Sequence, residues 1–153
     1  STEFLNYKAI NPQKNEPDFT ETFEIKQPTE LIGDKIYINP FILTSFDKNP
    51  LKLQERNYPI DFGYKDAYLF SVELKTENYD VISIPKTISL SLPNNKGTLV
   101  YNTNINKDTV TLFFKYSFKE AIYDSAYYES LKEFFSTIVN IQKNSLIVLK
   151  KKQ

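Results

Sequence analysis

The sequence predicts a mainly β protein: an antiparallel β-sandwich, immunoglobulin-like in style, with one C-terminal amphipathic α-helix followed by a final strand. Three observations predict it. First, short stretches of alternating apolar and polar residues, broken by Pro, Gly, Asn and Asp, recur at even spacing and read as about seven to nine strands. Second, the 153 residues include twelve Phe and eleven Tyr, which suit pleated, half-buried surfaces. Third, beyond residue 126 the apolar spacing changes from two to three and four, the period of a helix. A chain this long is most simply one domain, and it can bury roughly 70% of its unfolded surface without disulfides or metals. The organisation expected is a leading segment over 1–18 and a single sandwich over 19–153, with the helix at about 126–143.

Each element has its own warrant. Asn11-Pro12 and Glu16-Pro17 punctuate the leading segment, which has room for a short strand or turn around Phe4 to Ile10. Thr20 to Lys26 alternates, with Phe23 and Ile25 on one face. Gly33-Asp34 turns the chain into Lys35–Asn39, where Ile36 and Ile38 face together. Phe41 to Phe46 is apolar but too short to classify, and Asp47-Lys48-Asn49-Pro50 is a turn. Tyr58, Ile60 and Phe62 alternate around Pro59, which restricts this piece to an edge strand or a strand start. Asp66 to Lys75 is the cleanest strand, with Tyr68, Phe70, Val72 and Leu74 pointing one way. Val81 to Ile84 is short and stopped by Pro85.

A meander follows. Ile88, Leu90 and Leu92 alternate, Pro93 to Gly97 turns with Gly able to take positive φ, and Leu99 to Ile105 alternates again. Asn106-Lys107-Asp108 turns into Val110, Leu112, Phe114, Tyr116 and Phe118, the longest alternation. Leu131, Phe134, Phe135, Ile138 and Ile141 then share one face of a helix of about four turns. Asp124 or Ser125 would cap it and Asn144 would stop it. Leu146 to Leu149 is the last strand, closed by Lys150-Lys151-Lys152.

Composition excludes more than it assigns. Cys and His are absent, which removes thiol and imidazole catalysis and the usual zinc ligands. Charges balance at 19 against 19, so no global field draws the chain to nucleic acid, and the Lys tail reads as a solubilising terminus. No apolar run is long enough for a membrane helix or a signal peptide, so membrane insertion is not expected. Met is absent even at position 1, which favours a fragment of something longer. Glu55, Asp61, Asp66 and Glu73 are the carboxylates weighed as an acid/base pair, but no spacing singles out two for the separation of about 5 to 10 Å that such chemistry needs. Asp47-Lys48-Asn49 falls short of a calcium loop. Gly33, Gly63 and Gly97 read as turn or bulge positions, not a phosphate cradle. Tyr79, Tyr101, Tyr116 and the Tyr127-Tyr128 pair are weighed as a stacking platform against burial in the core. No catalytic residue, metal ligand or cofactor is expected.

The stretch Asn49 to Tyr64 holds the chain's one arginine, against eighteen lysines. A guanidinium fork holds a carboxylate in two places at once, as Lys does not. Arg56 with Asp61, five residues on, is therefore the expected loop-fixing ion pair. Arg56, Asp61 and Tyr64 are the candidates for a structural or interdomain contact.

These strings carry a resemblance. Asn39-Pro40-Phe41, then Asn49-Pro50-Leu51-Lys52-Leu53-Gln54-Glu55-Arg56-Asn57-Tyr58-Pro59-Ile60-Asp61-Phe62-Gly63-Tyr64, resembles "NP(F/L)…NPFKLEERxxPVDFxY". Ser89 to Gly97 resembles "(A/S)LxLPxxxG". Tyr128 to Phe135, with Gln142 and Ile147 to Lys151, resembles "EYxxLKxFFxxIVxxQ…IVLKK". Together they are similar to the C-terminal domain of unknown function in bacterial transglutaminase-like proteins, over roughly Phe19 to the end. Ala126-Tyr127-Tyr128 departs from the Pro-Glu-Glu-Tyr run common there. The resemblance implies a non-catalytic β-sandwich module of a periplasmic or secreted envelope protein of Gram-negative bacteria. It implies a partner in a transglutaminase-like core upstream in the same chain, where any Cys-His-Asp set would lie. A glycan- or peptide-binding module is the alternative.

Overall fold

The computed structural model describes residues 3–10, 20–26 and 28–153. Twelve strands, one α-helix and two single 3-10 turns are found among them. A hairpin comes first, β1 (Glu3–Ile10) against β2 (Thr20–Lys26). It is largely exposed and held across by Phe4 on Phe23, ring centroids 5.6 Å apart. β1 forms where the leading segment has its expected strand, whereas the expected turns at Asn11-Pro12 and Glu16-Pro17 lie outside the described residues.

The main sheet has the order β6-β10-β9-β8, built from β6 (Ala67–Lys75), β8 (Ile88–Ser91), β9 (Gly97–Asn106) and β10 (Thr109–Phe118). Strands β8 to β10 are the expected antiparallel meander, and β6 adds to the other side of β10. Alternation fixes this register, because a slip of one residue would turn every apolar side chain to the solvent face. The inner face of β10 is Val110, Leu112, Phe114, Tyr116 and Phe118, all at most 5% exposed. The helix α1 (Tyr128–Asn144) lies over that face through Leu131, Phe134, Phe135, Ile138 and Ile141. Phe118 stacks on Phe135 at 5.2 Å. Asp124 caps the 3-10 turn that leads into α1, its Oδ1 accepting from the Ala126 amide at 2.9 Å.

A second sheet has the order β3-β4-β12-β7, with β3 (Glu30–Ile32), β4 (Lys35–Ile38), β7 (Tyr79–Ser83) and β12 (Ile147–Lys151). The strand after the helix is therefore central, antiparallel to both β4 and β7. Ile147 and Leu149 meet Val110 in a core of their own beside the helix-covered one. The fold is the expected mainly β, antiparallel architecture with its late helix and returning strand.

Several local expectations change. The piece at Tyr58–Phe62 shrinks to β5 (Ile60–Asp61), paired with an unanticipated β11 (Ile122–Tyr123). β3 was likewise unanticipated; three residues are too few for a period to register. Gly97 is neither a positive-φ turn nor a bulge. Asn94 and Asn95 take the positive φ of that turn. Gly97 is required because a Cβ there would stand 2.6 Å from Leu92 Cδ1 and 3.0 Å from the Ser117 carbonyl. Tyr101 and Tyr116 lie in the core, not on a platform.

Burial raises the phenols of Tyr68, Tyr101 and Tyr123, and pushes Tyr116 up to about 12 from an ordinary 10.0. A raised folded-state value means that the folded protein holds its protons longer than the unfolded chain. This stabilisation is intact below about pH 10 and is lost as pH rises through the Tyr116 value. Alkaline unfolding between about pH 10 and 12, followed by circular dichroism and phenolate absorbance in one titration, is the expected result; Tyr116→Phe should move its onset to higher pH. In the same sheet, Phe114→Ala should cost about 3 to 5 kcal/mol by urea unfolding, because the site is sealed by Phe41, Tyr101 and Tyr116.

Candidate functional site

Between β4 and β6 the chain runs for most of residues 39–66 without regular structure other than β5. Loops of this length are uncommon in compact domains and are usually either functional or linker segments. This one is held by side chains in place of secondary structure.

Two Asn-Pro pairs do the same work. Asn39 Oδ1 accepts from the Phe41 amide at 3.0 Å, and its Nδ2 donates to the Gln142 and Lys143 carbonyls of α1. Asn49 Oδ1 accepts from the Leu51 amide at 2.9 Å, and its Nδ2 donates to the Lys132 carbonyl and Ser136 Oγ. Each side chain makes a local Asx turn and grips the helix with its other end. Each turn also delivers an apolar residue, Phe41 or Leu51, into the core. Asn39 serves the last turn of α1, where carbonyls lack intrahelical partners.

From Leu51 onward the loop crosses the N-terminal half of the helix. The Leu53 carbonyl accepts from Tyr128 Oη at 2.9 Å and from Lys132 Nζ at 2.8 Å. Ile60 is buried and Phe62 packs on Phe118, Tyr123 and Phe135. The Phe62 amide donates to the Ala121 carbonyl at 2.8 Å, extending the β5–β11 pairing by one bond.

The expected Arg56–Asp61 ion pair does not form. Arg56 is half-buried and uses its fork on backbone: Nε donates to the Tyr58 carbonyl at 3.2 Å and Nη2 to the Pro59 carbonyl at 3.1 Å. Asp61 follows the buried Ile60 in β5, so alternation turns it outward. There its Oδ1 accepts from the Gly63 amide at 2.7 Å, with Gly63 at φ +79°. Arg56 ties the loop to itself through two carbonyls and not through Asp61. Tyr64 is 67% exposed and so is free for a contact.

The result is a stiff ribbon with its anchors inside and large apolar side chains outside. Leu53 and Tyr58 stand 59% and 77% exposed, and Ile122, paired opposite Asp61, is also exposed. Sequence reasoning missed these three. Leu53 and Tyr58 sit in the same string as Tyr64, so the string itself was the available signal. Beside the ribbon lies an open polar groove of about 840 Å³ between Gln54–Asn57 and the start of α1. Glu55, Glu129 and Glu133 line it, while Arg56 and Lys132 commit donors to carbonyls. Glu73 pairs with Lys75 on the outer face of β6. Among the described residues no group of three or more acidic residues is placed to hold a metal ion.

Over residues 34–148 the chain matches the DUF3858 family, described as a domain of unknown function with solved structure. No curated protein and no solved structure matches the chain itself.

A double-mutant cycle of Arg56→Ala and Asp61→Ala, read by urea unfolding, should give a coupling under about 0.5 kcal/mol, the value for residues without shared partners. Arg56→Lys should recover only part of the loss, because one ammonium does not reproduce a fork on two carbonyls. A coupling above 1 kcal/mol would restore the ion pair.

Proposed function

The chain belongs to the DUF3858 family, and from that premise we propose that it is a non-catalytic accessory module of a larger bacterial transglutaminase-like protein of the periplasm or cell envelope. The 53–64 ribbon is its contact to the transglutaminase-like core. The observation that carries this reading is the combination of a rigidly pinned backbone with exposed Leu53, Tyr58, Tyr64 and Ile122. Exposed apolar side chains on a preorganised surface mark interaction sites, since little conformational freedom is lost on binding. The absence of Cys and His from the sequence supports a non-catalytic role. The resemblance of the ribbon to "NPFKLEERxxPVDFxY" supports the transglutaminase-like context and the envelope location.

A second reading, a glycan- or peptide-binding module, is favoured by one observation: Tyr58 and Tyr64 are exposed on one short ribbon with Asn57 between Arg56 and Tyr58. Tyr supplies apolar area and a hydroxyl at low entropic cost.

The test is association with a transglutaminase-like core, in cis and in trans, by titration calorimetry. Tyr58→Ala with Tyr64→Ala should weaken it tenfold or more, the loss of about 1.4 kcal/mol that exposed-to-buried tyrosines account for at an interface. Absence of association in both formats, with the parent's activity indifferent to Arg56→Ala, would overturn the proposal. Saturable binding of oligosaccharides or extended peptides at the same tyrosines would favour the second reading.

A further inference from the structure

Strand β6 is an edge of the main sheet, and its inner face is only half covered. Phe70, Val72 and Leu74 are half-buried where the facing residues of β10 are sealed. Phe70 and Val72 border the helix-covered core, and Leu74 borders the one that Ile36 and Ile38 of β4 pack against. In front of it stands the β1–β2 hairpin, which presents Phe23 and Ile25 across a gap roofed by Ile38, Ile42 and Leu43. The gap has a volume of about 550 Å³, inside the range of roughly 300 to 1,000 Å³ typical of small-molecule sites. Its walls are apolar on the hairpin side, on the sheet side and on the roof. Lys26 stands at its rim and makes no ion pair among the described residues.

From this arrangement we propose that the slot between the hairpin and β6 binds a medium-chain fatty carboxylate. The alkyl chain lies along Phe70, Val72 and Leu74, and the carboxylate meets Lys26. An apolar slot with one cation at its mouth is complementary to a molecule with one anion at the end of a chain. A sugar or a polar peptide would leave its hydroxyls or amides unpaired against these walls. The slot abuts the Asn39 clamp at the C-terminal end of α1, whereas the ribbon crosses the N-terminal half, so the two sites stand or fall separately.

The experiment is calorimetric titration of the full chain with octanoate, decanoate and dodecanoate below their micelle concentrations. Saturable one-to-one binding is expected, tightening about fourfold for each methylene that enters the slot. Val72→Trp should abolish it by filling the space. Ile42→Asp, at a roof position that is 45% exposed and so tolerant of change, should weaken it at least tenfold without disturbing the fold. Lys26→Ala should weaken the carboxylates by about two- to fivefold, as fits an exposed ion pair, and leave the matching alcohols unchanged. Tyr64→Ala should have no effect. Absence of saturable binding would overturn the proposal, and so would a chain-length series that Ile42→Asp and Val72→Trp leave unaltered.

Discussion

Two asparagines hold this fold in the form described. A helix that covers one face of a sheet must itself be held, and the long segment after β4 must satisfy its backbone without a sheet of its own. Asn39 and Asn49 meet both demands together. Each closes a turn at its own Asn-Pro with Oδ1 and reaches α1 with Nδ2. The helix is thereby clamped at two levels, with Phe41 and Leu51 driven into the core between it and the sheet. The hydrogen bonds fix the path, and the buried area provides most of the stabilisation, since a net hydrogen bond contributes only about 1 kcal/mol.

The rest of the ribbon depends on that clamp. Tyr128 and Lys132 converge on one carbonyl, Arg56 takes two more, and Asp61 closes the turn at Gly63. With its polar groups engaged inward and Ile60 and Phe62 anchored, the ribbon displays Leu53, Tyr58 and Tyr64 outward. At the other end of the helix the same loop roofs the apolar slot beside β6.

Much of this was legible in the sequence, and the reasons differ by residue. Strands β6, β8, β9 and β10 were legible because one buried face imposes a period of two over four or more residues, and α1 because Leu131 to Ile141 keep a period near 3.6. β3 and β11 were not, since two or three residues carry no period. The Asn-Pro pairs were legible as turns, but their second role spans 83 to 104 residues to the helix, and no local pattern records that distance. Arg56 stood out in the sequence as the one arginine. Its partner was not legible, because five residues of sequence separation do not say which way Asp61 faces once β5 pairs with β11. Gly97 is needed for the closeness of Leu92, a contact that turn chemistry does not encode.

Amide hydrogen exchange tests the clamp most directly. If the asparagine side chains hold the loop, the Phe41 and Leu51 amides exchange slowly in the native protein although neither lies in a helix or strand. Asn49→Ala should then release Leu51 and the ribbon beyond it while the β10 amides stay protected. Fast exchange at Leu51 in the unaltered protein, or protection unchanged by Asn49→Ala, would contradict the account.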